Sequence, residues 1–198
     1  RDFGGLVVAL LYESHRAGGR LWEYMCSLPL HVPLPFQWAD EELPPDFVRH
    51  EDLMEGRRLW REVVDLSFNT TVPMLLEKHA DLFEEGMLIP EKWAWACSIV
   101  ISRAFAVQTA SGMFGAKHSM VSVVVAKNPQ RILDQLNGVG EDDGIRLVLL
   151  PGVDMLNHGS EDEATATLTI EGNKAVVSAG KGLAHGVEVL VTYDKELC

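Results

Sequence analysis

The hydrophobic repeat changes character near Gly112, and this change restricts the fold more than any single motif. Before that point, apolar residues return with helical spacing. Leu6, Val7, Leu10 and Leu11 share one face, and Gly18-Gly19 end the pattern. Leu21 to Leu28 predicts a second, short helix that stops before Pro29. Leu53, Leu59, Val63 and Leu66 carry a longer one from Glu51 to Ala80, which Pro73 is expected to kink or divide. Between them, LHVPLPFQWADEELPP holds four prolines and reads as extended or turn-like, apart from one turn around Asp40 to Leu43. Pro90 is placed to open a last helix through EKWAWACSIVISRAFAVQT. This helix is apolar nearly all round and so predicted to be buried, with Trp93 and Trp95 as core packing.

After Gly112 the segments are short. HSMVSVVVAKNP suits a strand or a stretched connection, PQRILDQL a short helix, and GVGEDDG an acidic loop broken by glycine. IRLVLLP reads as a buried strand. ATATLTI and KAVVSAG alternate at period two on either side of a tight-turn signal, EGN. VEVLVTY follows a glycine-rich bend. The fold class expected is α+β, mainly helical over 1–112 and short-stranded over 113–198. There is no internal repeat and no low-complexity segment.

The 198 residues are 47% hydrophobic and 23% charged, which allows one domain with a real core or two small ones. A net charge of −12 repels phosphate backbones, so nucleic acid is not expected as a direct partner, whereas basic protein segments are attracted. Cys26, Cys97 and Cys198 are far apart, with no metal-type pair and no disulfide framework. That fits a reducing, intracellular setting without choosing between cytoplasm, nucleus and organelle. The longest apolar run, Leu6 to Tyr12, is too short to span a bilayer, so no membrane partner is expected. The chain opens Arg-Asp-Phe-Gly-Gly without an initiator Met, and it is expected to be cut from a longer protein at both ends. Nothing in it speaks to oligomeric state.

Three places carry residues with chemistry. Asp154, Asn157 and His158 follow a strand-like apolar run, where a rigid element would hold a site loop; a locally bonded Asx turn is the plainer reading. Asp154 and His158 lack a third ligand at fixed spacing, and no metal is predicted. Arg103 sits in an apolar helical run and must be paired, either in a structural ion pair or as a clamp for an anionic group such as a carboxylate. Tyr193 ends an apolar strand, either as a rim tyrosine or as part of a site. No nucleophile elbow, phosphate loop or zinc cluster is present in the sequence.

Five segments occur in order: LLYESHRAGGRLWEYMCSLP, PLPFQWADEEL, WAWACSIVISRAF, LLPGVDMLNHG and GVEVLVTYD. Together they resemble the SET-domain protein methyltransferases, in the branch of the Rubisco large-subunit methyltransferase that also holds protein-lysine and actin-histidine methyltransferases. The resemblance implies a β-rich SET core of short strands, of the β-clip type, interrupted by a large helical insert. Residues 1–112 would be the insert and 113–198 the C-terminal part of the core. It implies S-adenosylmethionine as cofactor, held by Asn157, His158 and Arg103, with Tyr193 as the catalytic tyrosine and Asp154 bordering the channel for the target side chain. It further implies that Arg103 approaches the loop bearing Asn157 and His158. The substrate implied is a protein, methylated on lysine, with histidine as the other acceptor. The family's upstream glycine-rich segment and downstream substrate-binding domain are missing from this stretch, which is expected to be inactive alone. Gly159 replaces a common serine, and Val187 a common glutamate beside Glu188. These changes keep open a non-catalytic SET-fold module that binds a protein partner.

Overall fold

The computed structural model describes residues 2–110, 117–120, 127–139, 144–171, 174–180 and 183–192. The chain divides into two compact units, Arg1–Ser102 with Asn128–Glu141, and Arg103–Lys127 with Asp142–Cys198. The first is helical and the second is built from small sheets, so the chain is mixed α and β. The sequence reading drew its line at residue 112; the units divide at 102/103, and residues 128–141 belong to the helical one.

The helical unit contains α1 (Asp2–Ser14), α2 (Trp22–Ser27), α3 (Pro45–Arg49), α4 (Glu51–His79), α5 (Pro90–Arg103, whose last residue belongs to the second unit) and α6 (Pro129–Leu136). Val7, Leu10 and Leu11 of α1 are buried, as are Val63, Val64 and Val72 of α4 and Ile99 and Val100 of α5. Trp93 is wholly buried; its indole N–H donates to Ser67 Oγ at 3.0 Å, and its ring meets Phe68 edge-on at 5.9 Å. Trp95 is only half-buried, with its N–H donating to the Pro29 carbonyl at 2.9 Å. Asn128 caps α6 by accepting from the backbone of Gln130 at 2.9 Å and Arg131 at 3.3 Å, and the helix packs on α4 through buried Ile132 and Leu133.

Pro73 does not divide α4, which runs unbroken over 29 residues. Pro73 and Asn69, one turn before it, are both exposed, so the carbonyl left without a donor faces water, while buried Val64, Ser67 and Val72 hold the helix to the core. The proline-rich segment is ordered from outside. Prolines supply carbonyls but no N–H groups, and two arginines of α4, one turn apart, provide the donors. Arg57 donates Nε–H to the Pro35 carbonyl at 3.0 Å and Nη2–H to the Trp38 carbonyl at 2.6 Å and Asp40 Oδ1 at 2.7 Å. Arg61 donates to the carbonyls of Phe36 at 2.9 Å and Trp38 at 2.8 Å. The hydrogen bond and the charge of Arg57 hold the Asp40 carboxyl below its usual range, with Arg61 adding a smaller share.

The predicted run of α5 through Thr109 is corrected: the helix ends at Arg103, and β1 (Phe105–Ala110) follows. Ala104, Phe105, Ala106 and Val107 are all buried, so both faces of the strand are covered and the apolar run has no period to separate helix from strand. β1 lies between β2 (Lys117–Met120) and β3 (Ile145–Val148), antiparallel to each, with Val107 opposite both Met120 and Arg146. Only Leu147 of β3 is buried, so the strand is less enclosed than its sequence suggests. β5 (Ala166–Glu171) and β6 (Lys174–Ala179) pair antiparallel from Ala166–Ala179 to Glu171–Lys174, as their alternation predicts; Gly172 and Asn173 lie outside the described residues. β4 (Asn157–His158) and β7 (Leu190–Val191) form a short parallel pair. Among the described residues, no helix is long and apolar enough to cross a membrane.

Candidate functional site

Gly152 fixes the first turn of the site. Its φ of +84° is open to glycine and strained for other residues, and it starts the tight turn Val153–Met155. Its N–H donates to Asp154 Oδ1 at 3.1 Å, which tucks the Asp154 side chain inward until it has no exposed surface. A buried carboxylate needs a partner. Arg103 supplies it, with Nη1 at 3.6 Å from Asp154 Oδ2, an ion pair at longer than hydrogen-bond length. The same Nη1 donates to the Asp154 carbonyl at 3.2 Å and meets Met155 Sδ at 3.1 Å.

Arg103 therefore reaches the segment one residue ahead of Asn157-His158. Its side chain is 23% exposed, and its Nε and Nη2 donate to none of the described residues. These donors suit an anionic group such as a carboxylate. Of the two readings open from the sequence, the ion pair is present and the anion clamp remains chemically available to the other face of the same guanidinium.

The chain then enters β4. Asn157 stands opposite Leu190, and His158 opposite Val191. Both β4 residues are exposed. Asn157 Nδ2–H donates to Glu188 Oε1 at 2.6 Å. The pairing continues past the strand: the Gly159 N–H donates to the Val191 carbonyl at 3.2 Å, and Thr192 Oγ1 donates to the Gly159 carbonyl at 3.3 Å. A Cβ on Gly159 would lie 3.1 Å from Leu190 Cβ, so glycine lets the two strands come this close. Thr165 ties β7 from the other side, accepting from the Leu190 N–H at 2.8 Å and donating to the Glu188 carbonyl at 2.9 Å. Near His158, the Ser160 hydroxyl and N–H bond the Glu163 carboxyl and hold its pKa below the usual range, with His158 as a weaker contributor.

Of the residues picked from sequence, Arg103 and Asp154 are in contact, and Asn157 and His158 are brought beside the strand that leads to Tyr193. Tyr193 itself, like Asp194, lies outside the described residues. In the sequence Glu188 stands out only as the glutamate beside Val187, and Thr165 and Glu163 carry no motif that would mark them; the local hydrogen bonds reveal their part. Among the described residues, no group of three or more His, Cys, Asp or Glu side chains could hold a metal ion. Burial pushes the Cys97 thiol well up, which makes it a poor nucleophile. In comparisons with known proteins, the chain matches no family model and no curated sequence.

Proposed function

We propose that this chain is part of an S-adenosylmethionine-dependent protein methyltransferase of SET type, acting on a protein lysine, with histidine as the other acceptor. The sheet unit corresponds in this reading to the C-terminal part of the SET core, and the helical unit to its insert. One observation carries most of the weight. Arg103 contacts the turn that leads into Asn157-His158, and those two residues pair in parallel with the strand that leads to Tyr193. Three segments far apart in sequence, each marked by the resemblance, thus lie in one compact unit.

The donor set suits the cofactor. Among the described residues Arg103 has donors left for its carboxylate, and the exposed side chains of Asn157 and His158 are the groups that would meet its other polar ends. The cofactor supplies the methyl group on a sulfonium sulfur. The protein's part is to align donor and acceptor and to exclude competing geometries, so its contribution is largely positional. Tyr193 orients the acceptor amine by its hydroxyl and does not act as a strong base at neutral pH. Asp154 is placed in this reading beside the target channel, with its carboxylate committed to Arg103 and Gly152.

One contact favours the alternative, a non-catalytic SET-fold module: the Asn157 amide is already donated to Glu188. Isothermal titration of S-adenosylmethionine into the full-length parent protein separates the two. Saturable binding that Asn157→Ala weakens at least tenfold is expected, together with a Tyr193→Phe variant that binds normally and turns over far more slowly. A well-folded parent that does not bind the cofactor would leave the module as the function.

A further inference from the structure

The helical unit holds an open apolar groove of about 260 Å³ between the proline-rich segment and the start of α4. Its walls include Pro35, Phe36, Phe47, Leu53 and Trp60, and Leu53 is 47% exposed. Gly56 lies on the same wall, in the interior of α4. Glycine is the poorest helix former after proline, so a glycine here needs a reason. The chain's own packing gives none: its φ is not positive, and a Cβ added to Gly56 meets nothing within 4 Å. What the missing side chain does is keep the groove open.

The sequence beside the groove is acidic: Glu41, Glu42, Glu51 and Asp52 are exposed and form no ion pair among the described residues, and Asp52 lines the groove, while Asp46 is paired with Arg49 at 3.1 Å and Asp40 with Arg57 and Arg61. Arg57, also on the groove wall, is nearly buried and neutralised by Asp40; its Nη1 donates to none of the described residues. An occupant that fits has an apolar side chain for the groove, cationic neighbours for the rim, and a backbone carbonyl for Arg57.

We propose that this groove docks a basic segment of a partner protein, anchored by one aromatic or branched apolar side chain flanked by lysine or arginine. The inference stands on the helical unit alone and does not depend on methyl transfer. The test is fluorescence polarisation on the full chain with two labelled peptides, Lys-Arg-Gly-Phe-Gly-Arg-Lys and the same peptide with Ser for Phe. The Phe peptide should bind saturably, at least tenfold tighter than the Ser peptide, and weaken as salt rises from low to physiological strength. Gly56→Leu fills the groove while improving helix propensity. It should lose binding at least tenfold with an unchanged circular dichroism spectrum and no loss of thermal stability. Asp52→Lys should weaken binding a fewfold and flatten the salt dependence. Equal affinity of wild type and Gly56→Leu, or no saturable binding by the wild type, overturns the proposal. So does self-association of the chain that Gly56→Leu abolishes, because the occupant would then be a second copy.

Discussion

Among the described residues, the largest fully buried side chains of the helical unit include Leu11, Val63, Trp93, Ile99 and Ile132, and those of the strand unit only Val191. Side-chain hydrogen bonds between distant segments occur in both units: Arg57, Arg61, Trp93 and Trp95 make them in the helical one. Thr165 bonds both Leu190 and Glu188, Asp154 holds Gly152 and Arg103, and Asn157 reaches Glu188. Among the described residues, the helical unit adds a large close-packed core to its polar ties, while the strand unit leans more on matched donors and acceptors. The contrast explains where a site can sit. Polar side chains on the short strand β4 stand at the surface, where a ligand can reach them, while a close-packed core would enclose them.

The contrast can be broken by substitution. Trp93→Ala should be the costliest change, about 3–5 kcal/mol, read from urea unfolding; a loss under about 1 kcal/mol would show that the helical core does not depend on packing. Asp154→Ala should cost about 2–3 kcal/mol, because it leaves the Arg103 guanidinium partly buried without its counter-charge. Val191→Ala, at about 2 kcal/mol, should cost no more than that; the reverse order would mean that the strand unit is held by apolar burial after all. Thr165→Val should cost about 1–2 kcal/mol by leaving the Leu190 N–H without its acceptor, with hydrogen exchange at Leu190 speeding up.

A separate effect is one of pH. Lys127, at the edge of the strand unit, loses hydration, which lowers its pKa from 10.5 to about 8. Between those values the unfolded chain binds more protons than the folded one, so the contribution of Lys127 to stability rises with pH through the window. Urea midpoints for wild type and Lys127→Met should draw apart in slope between pH 8 and 10.5; parallel curves would place Lys127 in water.

Legibility followed the same divide. Helical periodicity located α1, α4 and α6 because one face of each is buried while the other meets solvent. The alternation of ATATLTI and KAVVSAG located the β5–β6 hairpin for the corresponding reason. The boundary at Arg103 was hidden because residues 104–107 are buried throughout, and a uniformly apolar stretch has no period to read. The clamp of Arg57 and Arg61 on the proline-rich segment was hidden for a different reason. Four of its five hydrogen bonds go to backbone carbonyls, which every residue has, so no residue type marks them. At the candidate site, Arg103 could be read as a residue in need of a partner, but the partner could not be named. Asp154 lies 51 positions away, and only the turn set by Gly152 presents it.

Cys97 has a further use. It is wholly buried in α5, whereas Cys26 stands at the surface, and both are free thiols. A thiol-reactive dye offered to the native chain would mark Cys26 at once and reach Cys97 only when α5 loosens. The chain thus carries its own stopwatch for the opening of the helical unit, with a built-in starting signal, and needs no engineered label to be timed.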